Sequence, residues 1–284
     1  MKLATYSEYD PRAIALTEAA LFTVWGALGT YADDIVLVGG LVPKYLCGDL
    51  SVPRELPRPA TLDVDLGIAV GASAGQYGSI DMDLAGQGFS RSEKQMGRFE
   101  KIVDGFTIYV DFITELPGST RGTVMIDNAP ASVLPGINRA LECFRTIAVE
   151  GTDLHGATQR LQLRVCEAGP FLTLKLRAFA NRQQPKDAFD ILYTCLYYSA
   201  GASAAAAAFG AEASAKNTAY SDAARALVDF FLSETASGPV QAERFLFGER
   251  RPDDSADLRT RRAMLREQVV NVGLALQAAI PAKR

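Results

Sequence analysis

Apolar and polar positions divide the chain into a strand-rich first part and a helical second part. Asp10 and Pro11 predict the start of the first helix, because Asp10 can cap it and Pro11 suits the first helical position. The apolar run 35–38 then ends at Gly39-Gly40, which predicts a buried strand entering a tight turn. The pattern therefore begins as helix, strand and turn.

A hairpin is the clearest later signal in the first part. Residues 99–103 and 106–113 are rich in β-branched and aromatic residues, and Asp104-Gly105 lies between them. An Asp-Gly pair favours the positive φ angles that a two-residue hairpin turn requires. The remaining predicted elements are a short helix at 41–50, a proline-rich connection at 52–59, a strand at 62–70, a loop with a short helix at 71–88, and strands near 143–149 and 161–166.

From residue 170 onward the pattern becomes helical. Helices are predicted at 171–182 and 185–198, followed by two or three more, while the alanine-rich segment 201–215 fits either a helix or a flexible connection. These elements predict an α+β fold: a mixed sheet flanked by helices in residues 1–167, followed by a helical domain in residues 168–284.

Composition narrows the class of protein. The chain of 284 residues is 48% hydrophobic, enough for a real core, and its net charge of −4 argues against a sequence-independent nucleic-acid coat. The net charge does not exclude a local basic patch. Four widely spaced cysteines favour reduced, partly buried thiols. No uncharged apolar stretch reaches the roughly 18 residues of a membrane span, so we expect a cytoplasmic protein without a membrane partner.

The candidate chemistry begins with Asp63 and Asp65. Side chains at positions i and i+2 of a strand project from the same face, so these carboxylates point together. Such a pair suits Mg²⁺ or Mn²⁺, because hard divalent cations take oxygen ligands and can also hold substrate phosphates. Taken alone, the same pattern also fits a solvated strand face.

Two further features change that balance. Gly39-Gly40 follows a buried strand and can bring backbone N–H groups close to phosphate oxygens, although an ordinary turn fits as well. Asp111 lies in an otherwise apolar strand, where a carboxylate needs a partner or a metal. The order is a glycine turn, an Asp pair and a lone strand Asp.

This order resembles the polymerase-beta-type nucleotidyltransferase superfamily. The segment 174–191, a Lys helix ending in Arg and followed by Lys-Asp-x-x-Asp, is similar to the AbiEii/AbiGii toxin family of abortive-infection and type IV toxin–antitoxin systems. The resemblance covers about residues 10 to 200 and depends on the combination of motifs. It implies a helical C-terminal domain that completes the active-site cleft.

The resemblance also implies a role for each matching residue. Asp63 and Asp65 would bind metal, and Asp111 would be the third carboxylate, both a metal ligand and a group that activates the attacking hydroxyl. Lys175 would contact the triphosphate and belong to the catalytic set. The nucleotide-binding residues would be Gly39, Gly40, Lys175, Arg182, Lys186, Asp187 and Asp190.

The implied function is metal-dependent transfer of a nucleoside monophosphate from an NTP to an acceptor. By the same resemblance the acceptor is RNA, such as the 3′ end of a tRNA, and a cognate antitoxin is a partner. Nucleotidylation of a protein or small molecule and a non-catalytic nucleotide-binding module are the alternatives. Lys186 and Asp187 also fit a structural knot between helices. An arginine-rich segment at 244–266 fits a solvated helix face or a phosphate-contacting surface.

Overall fold

The computed structural model describes residues 3–48, 54–73 and 79–282. It is a mixed α+β protein with a mixed open sheet and helices that include the C-terminal ones, which confirms the predicted fold class. The parts of the predicted elements that fall at 49–53 and 74–78 lie outside the described residues. Within the described ranges, none of the helices combines the length and apolarity needed to cross a bilayer.

The chain forms two compact units. The sheet unit comprises Asp10–Val42 and Thr61–Glu167, and the helical unit comprises the described residues of Met1–Tyr9, Pro43–Ala60 and Ala168–Arg284. One boundary lies between residues 167 and 168, and two segments from the first part of the chain group with the helices.

Side-chain contacts explain why those two segments belong to the helical unit. The rings of Tyr6 and Tyr9 each lie 6.0 Å from the ring of Phe245 in edge-on contact. The guanidinium of Arg54 donates a hydrogen bond of 2.8 Å to the hydroxyl of Tyr193. The sequence pattern around Tyr6, Tyr9 and Arg54 reports only on neighbouring residues, so it does not show which later helix these side chains contact.

The sheet of the sheet unit mixes parallel and antiparallel pairs. The strands are β1 (Ile35–Val38), β2 (Asp63–Ile68), β3 (Ser90–Arg91), β4 (Arg98–Val103), β5 (Phe106–Thr114), β6 (Thr123–Ile126), β7 (Ala129–Val133), β8 (Phe144–Thr152) and β9 (Thr158–Cys166). Their order in the sheet is β3-β4-β5-β2-β1-β9-β8, and the β6–β7 hairpin joins through β7 to β5. The pairs β2·β5, β1·β9 and β5·β7 are parallel and the others are antiparallel.

The predicted hairpin is confirmed as β4–β5. Asp104 and Gly105 have φ angles of 51° and 83°, as the two-residue turn requires. A second hairpin, β6–β7, was not predicted. It turns at Asp127 and Asn128, which also have positive φ angles. An Asp-Asn pair tolerates that conformation, but it is a weaker signal than Asp-Gly because no glycine is present.

Among the described residues, four α-helices begin within the sheet unit: α1 (Pro11–Ala27), α2 (Val42–Leu46), α3 (Ile80–Gly86) and α4 (Ile137–Glu142). The predicted start of α1 is confirmed, since the Asp10 carboxylate accepts a 2.7 Å hydrogen bond from the backbone N–H of Arg12. Phe22 packs against the backbone of β8 at Gly151, where a Cβ would lie 2.5 Å from the phenyl Cε2 atom. Helix α1 therefore lies close against the sheet.

The helices that follow in the helical unit are α5 (Ala168–Arg182), α6 (Pro185–Tyr197), α7 (Ala202–Ala211), α8 (Tyr220–Phe230), α9 (Ser237–Phe247) and α10 (Ala256–Ala278). The alanine-rich segment, whose composition fits either a helix or a flexible connection, is largely helical as α7. At Gly210 in this helix, a Cβ would lie 2.5 Å from the carbonyl oxygen of Ala279, so the small residue permits close backbone packing.

The interpretation of the arginine-rich segment as a solvated face is wrong at Arg262. This side chain is 2% exposed and donates a 2.9 Å hydrogen bond to the Glu243 carboxylate. It also donates to the carbonyl oxygens of Phe247 and Gly248 at the end of α9. The Nε atom of Arg262 lies 3.2 Å from the Asp254 carboxylate, and the charge partners offset the cost of burying the guanidinium, while the helix-end carbonyls gain donors.

Glu243 is the centre of this buried cluster. Burial opposes ionisation of its carboxyl, but hydrogen bonds from Arg250, Arg262 and Arg266 outweigh burial and lower its pKa below the ordinary 4.5. A group with a lowered folded-state pKa stabilises the fold above its unfolded-state pKa, and this contribution is lost as the pH falls through the folded-state value.

We expect Glu243→Gln to lower the free energy of unfolding by about 2–4 kcal/mol near neutral pH, because Arg262 stays buried with one charge partner fewer. The difference from the wild type should shrink as the pH falls through the lowered folded-state pKa, because the wild-type carboxyl then also becomes neutral. Urea unfolding at several pH values measures it. Glu249→Gln, which removes a carboxylate that is 71% exposed and paired with Arg244, should change stability by less than about 1 kcal/mol. Equal, pH-independent losses in the two variants would contradict the prediction.

Candidate metal centre

One row of residues crosses four strands of the sheet. Arg98 in β4 is opposite Asp111 in β5, Asp111 is beside Asp65 in β2, and Asp65 is opposite Val38 in β1. Residues aligned across neighbouring strands project to the same face. The register therefore brings Asp65 and Asp111 together, although 45 positions separate them in the chain.

Asp63 completes a triad of carboxylates. It lies two residues before Asp65 on β2, and each of Asp63, Asp65 and Asp111 offers an oxygen within 4.8 Å of the other two. Three negative charges at this separation repel one another, and a cation among them removes the repulsion. The ligands are all oxygens from half-buried side chains, so this set can bind a hard divalent cation.

The opposite face of the same two strands fixes this arrangement. Val64, Leu66, Val110 and Phe112 are fully buried, and they alternate with the aspartates along β2 and β5. A slip of one residue in either strand would turn the carboxylates into the core and the apolar side chains outward. Burial of the apolar face therefore determines where the triad forms.

The glycine turn lies directly against the triad. Gly39 has a φ of 70°, which L-residues rarely adopt, and a Cβ at this position would lie 2.5 Å from the Cγ atom of Asp65 and overlap its carboxylate. Gly40 is buried in the turn that follows β1. The predicted turn is confirmed, while phosphate binding by Gly39 and Gly40 stays a prediction.

Thr61 and Arg98 contact the triad without having been predicted. The Thr61 hydroxyl donates a hydrogen bond to Asp63. Arg98 contacts Asp111 at two points, with Nε 2.7 Å from Oδ1 and Nη2 2.6 Å from Oδ2, and its guanidinium lies 4.4 Å from the ring centre of Tyr109. The hydrogen bond to Asp111 and the charges of Asp111, Asp63 and Asp65 raise the pKa of Arg98, although burial opposes them.

The sequence did contain a signal for Arg98. A two-residue loop at Asp104-Gly105 pairs Val103 with Phe106, and counting back along both strands pairs residue 98 with residue 111. The requirement that Asp111 have a partner or a metal is thus met in part by a residue that the hairpin register identifies.

The other predicted site residues form a separate cluster in the helical unit. The Lys175 ammonium lies 3.1 Å from Asp187 and 2.5 Å from Asp190, and the Arg182 guanidinium contacts Asp187 at 2.6 Å and 2.9 Å. Lys186 donates a 2.6 Å hydrogen bond to Asp190. The structure therefore brings all five residues together around two fully buried carboxylates.

The charges in this cluster stabilise one another. Burial lowers the pKa of Lys175, but attraction from Asp190 and Asp187 outweighs it and raises that pKa above its ordinary value. Asp187 of α6 binds two cations of α5, as a structural knot between helices would. Of the Asp190 oxygens, Oδ1 has no hydrogen-bond partner among the described residues. Nucleotide binding by this cluster stays a prediction.

Comparison with known proteins adds no family to these observations. No protein-family model matches the sequence, and no curated protein matches it significantly.

We expect Gly39→Ala to destabilise the protein more than Gly118→Ala. Both glycines have positive φ angles, 70° and 74°, so alanine costs about 1–2 kcal/mol at either position. Only at Gly39 does the added methyl group also meet Asp65, which adds about 1–3 kcal/mol of overpacking, since open space surrounds Gly118. Urea unfolding measures both values, and losses of the same size would show that the turn tolerates a side chain.

Proposed function

We propose that the protein is a metal-dependent nucleotidyltransferase, which moves a nucleoside monophosphate from an NTP to an acceptor and releases pyrophosphate. The observation that carries this proposal is the triad of Asp63, Asp65 and Asp111, whose oxygens lie within 4.8 Å of one another on adjacent strands. The glycine turn at Gly39 supports it, because backbone beside the triad has no side chain to block a phosphate.

Each part of the triad has a role in this reaction. Asp63 and Asp65, with Asp111 as third ligand, would hold Mg²⁺ or Mn²⁺, which would neutralise charge on the triphosphate and the attacking oxygen. Asp111 accepts the proton of the acceptor hydroxyl as its oxygen forms a bond to the α-phosphorus. The bond from the α-phosphorus to the bridging oxygen then breaks, and pyrophosphate leaves with the electron pair.

The motif resemblance assigns the triphosphate contact to the cluster in the helical unit. Lys175, Arg182 and Lys186 contribute three cations against the two carboxylates of Asp187 and Asp190, which leaves one net positive charge. The raised pKa of Lys175 keeps its ammonium protonated at physiological pH. We assign the triphosphate contact to Lys175 on this basis.

The acceptor and the partner come from the motif resemblance. We propose an RNA 3′ end, such as that of a tRNA, as the acceptor, and with it a growth-inhibiting role in the cytoplasm and a cognate antitoxin. The arginines that remain exposed near the start of α10, Arg259 and Arg261, offer contacts to RNA phosphates.

The activity test uses labelled NTPs and a pair of variants in one hairpin. With Mg²⁺ or Mn²⁺ and total RNA, we expect label to enter RNA from at least one of the four NTPs. Asp111→Asn should reduce this transfer at least about a hundredfold, because the triad loses one charge and the proton acceptor. Asp104→Asn removes an exposed carboxylate from the same hairpin and keeps a residue that tolerates its φ of 51°, so it should transfer normally.

Other outcomes distinguish the remaining functions. Label that enters only a protein or a small molecule would replace RNA as the acceptor and retain the chemistry. Nucleotide binding without transfer to any acceptor would indicate a non-catalytic nucleotide-binding module. Equal transfer by Asp111→Asn and Asp104→Asn would refute the role of the triad.

A further inference from the structure

Arg98 occupies the carboxylate that the metal centre needs as its third ligand. Its guanidinium contacts both oxygens of Asp111, at 2.7 Å and 2.6 Å, so each oxygen accepts a hydrogen bond from Arg98. The side chains of Arg98 and Asp111 are only 12% and 14% exposed, so water screens their interaction weakly. A two-point contact of this kind is a strong form of ion pair.

Two structural features hold Arg98 in this position. The β4–β5 register places it directly opposite Asp111, and the guanidinium lies over the Tyr109 ring at 4.4 Å. The hairpin register and the Tyr109 ring thus orient the Arg98 guanidinium without a bound ligand. The contact between Arg98 and Asp111 therefore belongs to the structure of the centre itself.

The contact with Arg98 makes the metal centre less negative. Three carboxylates and one guanidinium carry a net charge of −2, whereas the triad without Arg98 carries −3. A divalent cation coordinated by Asp111 must share its oxygens with Arg98 or displace the guanidinium. It is also repelled by that guanidinium at short range.

We propose that Arg98 and a divalent cation compete for the carboxylate of Asp111, so that Arg98 determines how tightly the triad binds metal. This inference rests on the metal-binding part of the proposed function and does not require nucleotidyl transfer. The triphosphate of an NTP brings negative charge that offsets Arg98. Metal and nucleotide therefore bind with positive coupling, each strengthening the affinity for the other.

The test is a titration of the full chain with Mn²⁺ alone, with no nucleotide or acceptor present. Calorimetry gives the Kd for the wild type and for Arg98→Met, which removes the charge and the two donors but keeps an unbranched side chain. We expect Arg98→Met to bind Mn²⁺ roughly tenfold or more tightly. Arg160→Met removes an arginine that is 83% exposed and paired with Glu150 in the same unit, so its Kd should equal that of the wild type.

A double-mutant cycle locates the competition at Asp111. Asp111→Asn alone should weaken Mn²⁺ binding, and adding Arg98→Met to it should produce a much smaller tightening than in the wild type. A tightening of equal size in both backgrounds would mean that Arg98 acts only as a nearby charge, which overturns the proposal. So would unchanged or weaker binding by Arg98→Met, or no binding by any of the proteins.

Folding and function are checked separately. Circular dichroism shows whether Arg98→Met is folded, and Arg98→Lys serves in its place if it is not. Lysine keeps the charge but cannot contact both oxygens as a fork, so a smaller tightening is expected and none would refute the competition. Tighter Mn²⁺ binding by Arg98→Met in a protein that transfers no nucleotide would refute only the proposed function.

Discussion

The parallel pairing of β2 with β5 is the constraint on which the candidate centre depends. It places Asp65 beside Asp111, an arrangement of like charges that no folded chain adopts without compensation. Part of the compensation comes from Arg98, which contacts both oxygens of Asp111. The rest comes from the other face, where Val64, Leu66 and Phe112 are completely buried. The free energy gained by burying apolar side chains on one face thus outweighs the charge repulsion between the carboxylates on the other face. Such local strain is common at functional sites.

The clusters of charged side chains in the two units have net charges of opposite sign. In the sheet unit, three carboxylates face one guanidinium and a negative balance remains, which suits a divalent cation. In the helical unit, Asp187 and Asp190 are surrounded by three cations and a positive balance remains. The negative balance in the sheet unit favours a cation, and the positive balance in the helical unit favours an anion.

Local signals predicted a large part of this molecule. The cap at Asp10, the strand that ends just before Gly39 and the Asp104-Gly105 hairpin all depend on neighbouring residues, and all three are confirmed. The β6–β7 hairpin was missed because its turn contains no glycine. Arg262 was misassigned because its partner, Glu243, belongs to a different helix.

The sequence by itself determined which carboxylates share a strand face and where the tight turns fall, because side-chain alternation and turn geometry act over only a few residues. The two-residue turn at Asp104-Gly105 also places Arg98 opposite Asp111. Only the tertiary structure decided that Asp63 and Asp65 meet Asp111, and that Lys175 lies between two buried carboxylates. Those contacts depend on strand pairing and helix packing between distant segments. The free energy of burying apolar faces selects such arrangements, and no short stretch of sequence encodes them.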